Sequence, residues 1–196
     1  MEAPLTLPAT PEQRELTYHR VRDALASLLD GEDDWVAAMA TVACELHHAF
    51  GYYDWTGFYR VVGEEMLVIG PYQGGHGCLR IPFARGVCGA AARTRETQLV
   101  PDVHAFPDHI ACASGTQSEI VVPVIAPDGT LLAVLDVDSD ARAAFGDRRP
   151  PPLRPPPPPI RPRKSPESRA GPPAHALLCS TAKPPAERST PWRVRD

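Results

Sequence analysis

Three acidic residues and three cysteines are the side chains of this sequence whose types and spacing could do chemistry. Asp128-Gly129 lies between two β-rich runs, Ile120–Ile125 and Leu131–Val137, and Asp-Gly in that setting is the strongest short hairpin signal. With Asp128 and Gly129 as a two-residue turn, residues whose numbers sum to 257 face each other, so Glu119 stands opposite Asp138 and Val121 opposite Asp136. Asp136 and Asp138 are two apart and project from one face of their strand. Glu119 joins them there, with Cβ atoms across the pair about 5 Å apart. Three carboxyls on one patch with no cation between them raise one another's pKa, so at least one is inclined to keep a proton. Such a patch can hold an ammonium or metal ion, or donate a proton to a substrate oxygen. The alternative is a set of strand-end acids pointing into water.

The cysteines stand in three settings. Cys78 follows the glycine-rich run Gln73-Gly74-Gly75-His76-Gly77, Cys88 opens a short helix over Gly86–Ala92, and Cys112 closes His109-Ile110-Ala111-Cys112. A thiol at a helix N-terminus or beside an imidazolium has a lowered pKa and is reactive, whereas a lone cysteine is otherwise a small hydrophobe. Cys44, in mid-helix, reads as buried and inert, and Cys179 falls near the C-terminus. His76, Cys78, His109 and Cys112 would make a zinc set of two thiolates and two imidazoles, but there is no close CxxC pair or HxxxH, so no metal is expected. No P-loop or GxGxxG is present.

The elements that must position these residues read as follows. Thr10-Pro11-Glu12-Gln13 is a helix start, with Thr10 as N-cap, Pro11 in the first turn and Gln13 completing a capping box. Leu16, Val21, Ala24, Leu25, Leu28 and Leu29 supply its apolar stripe, and Gly31 ends it. Asp33 and Asp34 open a second helix on which Trp35, Met39, Val42, Leu46 and Phe50 recur at helical spacing. Phe58–Val62 and Met66–Ile69 form a hairpin around Gly63-Glu64-Glu65, and Leu79–Pro82 is extended. Residues 101–117 are a loop long enough to be functional or disordered. Pro123 places its strand at an edge or a bulge. Two helices followed by strand pairs give an α+β fold with an antiparallel sheet.

Composition divides the chain. Of 24 prolines among 196 residues, nine lie in residues 1–146 and fifteen in 147–196, and net charge splits at the same place into −11 and +7. The expectation is a folded domain over 1–146 and a Pro/Arg-rich disordered tail over 147–196. Arg149, Pro152 and Pro155 fit a basic PxxP spacing for an SH3-type partner. No apolar stretch approaches the length of a membrane span. The first residues lack a secretory signal, so the expected setting is the reducing cytoplasm. The acidic body argues against nucleic acid as a partner.

In this order along residues 35–146, the sequence carries Trp55-Thr56-Gly57-Phe58-Tyr59, Gly70-Pro71-Tyr72-Gln73-Gly74, Gly86-Val87-Cys88-Gly89, Asp102-Val103-His104, His109-Ile110-Ala111-Cys112, Ser118–Pro123 and Leu135-Asp136-Val137-Asp138-Ser139. Together these resemble the GAF-domain free methionine-(R)-sulfoxide reductases. The resemblance implies a GAF-like six-stranded antiparallel sheet with the N-terminal helices on one face and the ligand pocket on the other. It implies thiol-dependent reduction of free L-methionine-(R)-sulfoxide to methionine, a repair of oxidative damage. No bound cofactor is implied; thioredoxin, kept reduced by NADPH through thioredoxin reductase, is the reductant. Cys112 matches the nucleophile, which would become a sulfenic acid, and Cys78 the partner that resolves it into a disulfide. Cys88 matches a third catalytic cysteine whose part differs among members. Glu119, Asp136 and Asp138 match the carboxyls around the substrate amine and sulfoxide oxygen, and Trp55 and Tyr59 the aromatic wall near its methyl group. Two departures stand out. The family has a Lys and an Ala before the cysteine matched by Cys78, where this chain has Gly74-Gly75-His76-Gly77. The family continues past residue 147 into a C-terminal helix, where Arg148–Pro152 cannot propagate one. Apolar surface uncovered by its loss is expected to destabilise the domain or to favour self-association as a homodimer. The alternative function is a non-catalytic GAF module for ligand binding or oligomerisation that lost turnover with that helix.

Overall fold

Thr10 starts the first helix as its sequence requires: in a computed structural model, which describes residues 3–146, its hydroxyl accepts from the Gln13 backbone while the Gln13 side chain accepts from the Thr10 backbone. Helix α1 then runs Pro11–Leu28, and α2 runs Trp35–Ala49 from an Asp34 cap that accepts from Val36 and Ala37. Among the described residues six strands form one antiparallel sheet: β1 Trp55–Val61, β2 Met66–Gly74, β3 Arg80–Pro82, β4 Gln98–Val100, β5 Ser118–Ile125 and β6 Leu131–Ser139. Their order across the sheet is β3-β2-β1-β6-β5-β4. Helix α3, Gly86–Thr94, follows β3.

Strand alternation sorts the sheet into two faces. Phe58, Ile120, Val122, Val124, Ala133, Leu135 and Val137 point to one side and bury against Met39, Ala43 and Phe50. Trp55, Tyr59, Val121 and Val134 point to the other, where Val87, Cys88, Ala91 and Ala92 of α3 cover them. The expectation of N-terminal helices on one face and a separate pocket face is met. The expected boundary at 146/147, the disordered tail, the PxxP spacing and the missing C-terminal helix lie outside the described residues.

Three local readings change. β2 continues through Gly70–Gly74 beyond the expected Ile69, because β1 begins at Trp55 and pairs with it as far as Gly74. β4 is an additional three-residue strand on β5, too short to show a period in sequence. The β5–β6 turn is centred one residue earlier than expected: Gly129 N–H donates to Ala126 O, and Ala126 N–H to Thr130 O. Gly129 then sits at φ +87°, where glycine is favoured. Pairing near the turn is thereby offset by one, but a bulge between Val124 and Ile125 restores it, so Glu119↔Asp138 and Val121↔Asp136 hold. Pro123 is on an inner strand, yet β4 pairs only as far as Val121, so the proline's flank carries no ladder partner.

Helix α3 lies close to β3 because Gly89 has no side chain. A Cβ there would stand 2.5 Å from the carbonyl oxygen of Phe83 and 2.9 Å from that of Pro82, both rigid backbone. Gly89→Ala is expected to lower stability by about 1–3 kcal/mol despite alanine's better helix propensity, measured by urea unfolding against the parent chain.

Candidate active site

Three side chains converge on the floor of the pocket from different elements. Glu119 comes from the start of β5 and Asp136 from β6, and each is about 5% exposed (6% and 5%). Asp136 pairs across the sheet with Gly57 of β1, where the Trp55 ring packs so close that a Cβ would stand 2.5 Å from it, and Asp138 pairs with Trp55. Cys88, from the first turn of α3, brings its Sγ to 3.9 Å from Glu119 Oε1. The Cys88 thiol and one oxygen each of Glu119 and Asp136 lie within 4.8 Å of one another, and all three residues are buried. Oδ1 of Asp136 is enclosed with no hydrogen-bond partner.

Burial dominates the electrostatics. It pushes the Glu119 carboxyl well above the ordinary carboxylate range, and the nearby Asp136 and Asp138 push it further. Burial likewise raises Asp138, with Asp136, Asp140 and Asp54 adding to it. Asp136 is raised to about 6, less far because Cys88, Glu119 and the Val137 backbone hydrogen-bond to it. The Cys88 thiol is driven well up, first by burial and then by the same carboxyls.

The rim carries sulfur. Cys78 and Cys112 are joined in a disulfide, with Cα atoms 5.2 Å apart, tying the glycine-rich segment after β2 to the loop before β5. Trp55 and Tyr59 stack at 5.7 Å between ring centroids and form the wall beneath it. Trp55 Nε1 donates to Gly75 O, which fixes the glycine segment over the aromatic pair. His109 Nε2 lies 3.8 Å from Glu119 Oε2. Burial lowers the His109 pKa, with His104 adding to it, and Glu119 keeps its proton, so the two meet as neutral groups and not as an ion pair. With the disulfide closed these residues enclose only about 30 Å³, room for about two waters.

A protein-family model for the GAF domain matches residues 34–150. The chain belongs to the GAF domain family. Within it, this GAF domain is 38% identical over 128 residues to the free methionine-R-sulfoxide reductase of Escherichia coli, spanning 65% of this chain and 76% of that protein. It is 45% identical over 117 residues to the Saccharomyces cerevisiae protein of the same name, spanning 57% of this chain and 65% of that one, just under two thirds of its length. A solved structure of the Neisseria meningitidis free methionine-R-sulfoxide reductase in complex with its substrate superposes with a TM-score of 0.65 at 44% identity, covering 74% of this chain and 84% of that one. These similarities place the chain among the free methionine-R-sulfoxide reductases of the GAF family.

All eight residues singled out in the sequence for the site, Trp55, Tyr59, Cys78, Cys88, Cys112, Glu119, Asp136 and Asp138, meet in this one region of the GAF domain. Two expectations about thiols change. Cys88 does sit at a helix N-terminus, but burial beside carboxyls raises its pKa where the helix end alone would lower it. Cys44 is half-buried, with Sγ 3.7 Å from His48 Nδ1. Two members of the weighed zinc set, Cys78 and Cys112, are bonded to each other in this structure. Sequence reasoning gave His109 no place against Glu119 and did not single out Thr116, Ile110 or Gly77, which also line the pocket. The position of His109 three residues before Cys112 was the available signal for it; the others gave none.

Raised carboxyls make the GAF domain's stability fall with rising pH. The folded state holds the Asp136 proton more tightly than the unfolded chain, so its contribution is complete below about pH 4 and is lost as pH rises through about 6. Asp136→Asn removes a penalty on the order of 2–3 kcal/mol at pH 8. The expected result is a Tm roughly 5–10 °C above the parent at pH 8 and no gain at pH 4, read by calorimetry.

Proposed function

We propose that this chain reduces free L-methionine-(R)-sulfoxide to methionine, with Cys112 as nucleophile and Cys78 as the resolving thiol. The observation that carries this reading is a disulfide between Cys78 and Cys112 standing over buried carboxyls and against an aromatic wall. Relatives named for that activity support it.

The carboxyls divide the roles between them. Asp136, raised by burial to about 6, ionises near neutral pH, so it meets the α-ammonium of the free amino acid, with Asp138 at the strand end beside Trp55. A peptide-bound methionine lacks that ammonium. Glu119, held well above the usual range, is the proton donor. The Cys112 thiolate attacks the sulfoxide sulfur while Glu119 protonates the departing oxygen. The protonated oxygen then moves from the substrate sulfur to Cys112 Sγ as the bond between the two sulfurs breaks, so the sulfoxide leaves as methionine, reduced by two electrons, and Cys112 becomes a sulfenic acid. Cys78 attacks that sulfur, water leaves, and the Cys78–Cys112 disulfide forms. Cys88, the third cysteine expected to be catalytic, acts in this scheme as a neutral S–H donor. At 3.9 Å it steadies the Glu119 carboxylate left after proton transfer. Trp55 and Tyr59 hold the methyl and methylene groups.

The catalyst needs no bound cofactor in this scheme; thioredoxin, supplied with electrons from NADPH by thioredoxin reductase, reopens the disulfide. A reducing compartment such as the cytoplasm suits that cycle. Among the described residues no helix is long and apolar enough to cross a membrane.

Full-length chain with dithiothreitol and racemic free methionine sulfoxide is expected to consume half of the mixture. Cys112→Ser consumes none, and Glu119→Gln lowers kcat by about 100-fold or more. In Cys78→Ser the sulfenic acid on Cys112 accumulates and is captured by dimedone in mass spectrometry. Full turnover by Cys112→Ser would contradict the assignment, and binding of methionine sulfoxide with no turnover by the parent would favour the non-catalytic module. Because the disulfide-closed cavity is about 30 Å³, methionine sulfoxide is expected to bind the reduced chain and not the oxidised one in titration calorimetry.

A further inference from the structure

The proposed cycle leaves open where a reductant reaches the disulfide. Leu79, the residue after Cys78, is 73% exposed, the most exposed large apolar side chain among the described residues. By strand alternation it shares parity with Ile81, which is 4% exposed and packed in the core on the pocket face. Leu79 nevertheless projects into water, although its backbone is held: Leu79 O accepts from Ile69 N–H at 3.1 Å. The segment that carries it leads into β3, an outer strand of the sheet. Across the disulfide, Cys112 is flanked by Ala111 and Ala113, both exposed and small. Both cysteines are half-buried.

We infer that Leu79 is the anchor on which a dithiol protein with an apolar contact face around its thiols docks to reduce the Cys78–Cys112 disulfide. This rests on the reading of that disulfide as a catalytic one. Its exposed apolar side chain, one residue from Cys78 and on a backbone held to Ile69, gives such a partner a fixed apolar contact beside the sulfur it must reach. Docking beside Cys78 directs the partner's thiolate to Cys78 Sγ. The Cys78–Cys112 bond breaks, a mixed disulfide forms on Cys78, and Cys112 leaves as the thiolate that the next turnover uses. The partner's second thiolate then attacks its own mixed-disulfide sulfur and releases the Cys78 thiolate, which takes up a proton. Two electrons pass in all, and the partner leaves as a disulfide.

The test uses the oxidised full-length chain without sulfoxide and follows disulfide reduction by quenched-flow thiol labelling. Reduced thioredoxin and dithiothreitol are the two reductants. With thioredoxin, Leu79→Ser is expected to react about tenfold or more slowly than the parent, and Leu79→Met at near the parental rate. With dithiothreitol all three react within twofold of one another. Equal rates of parent and Leu79→Ser with thioredoxin would overturn the inference. A parallel slowing with dithiothreitol would also overturn it, because the residue then governs access or fold and not docking. No reduction of the parent by thioredoxin would do the same. Sulfoxide turnover with dithiothreitol, measured separately, reports on the reductase reading, so the two can fail independently.

Discussion

Three carboxyl groups brought together away from water by strand register, with no cation among them, set the terms for the rest of the pocket. Glu119 faces Asp138 across the β5–β6 ladder, and Asp136 lies two residues before Asp138 on the same face. Ionising all three in this setting is prohibitive, so protons stay on. What makes the arrangement tolerable is local: hydrogen bonds from Cys88, Glu119 and the Val137 backbone hold Asp136 down against the effect of burial. The domain core supplies the remainder. Faces of β1, β5 and β6 buried against α2 hold the register that a solvated sheet could slip.

The same constraint separates the roles of otherwise similar groups. Burial drives Glu119 and the Cys88 thiol upward together, while Asp136 stays low enough to ionise near neutrality. A proton donor and an anionic site thus stand side by side on neighbouring strands. Over them, the Cys78–Cys112 bond joins two loops of unlike origin. One is the glycine segment kept low over Trp55 and Tyr59, where a Cβ at Gly77 would stand 2.9 Å from Tyr59 Oη. The other is the long polar stretch before β5. Rigid strands position the acids and less regular segments carry the thiols, a division that suits sulfurs which must part and rejoin.

Much of this was legible in the sequence, though not always for the reason first given. The capping box at Thr10 and the Asp34 cap are local chemistry and were read directly. The carboxylate register was right although the turn differs, because the Val124/Ile125 bulge compensates the displaced turn. Alternation along residues 119–138 specifies the buried face more strongly than the turn does. β4 and the far half of β2 were hidden, since three residues and a Gly-Pro step give no period to read. The Cys88 thiol was misjudged because helix position is visible in sequence whereas burial beside acids is a tertiary fact. The contact of His109 with Glu119 was hidden for the same reason, as it joins a loop to a strand.

The account stands on a carboxyl that keeps its proton near neutral pH in the empty pocket. Carbon-13 NMR of the side-chain carboxyls, titrated from pH 3 to 9 on the full-length chain and assigned with Glu119→Gln, reads this directly. The expected result is that the Glu119 resonance titrates well above the ordinary carboxylate range, pushed up by burial, while Asp136 shifts near pH 6. If Glu119 and Asp136 both titrate near the ordinary carboxylate value of about 4, the proton donor and the division of roles built on it are wrong.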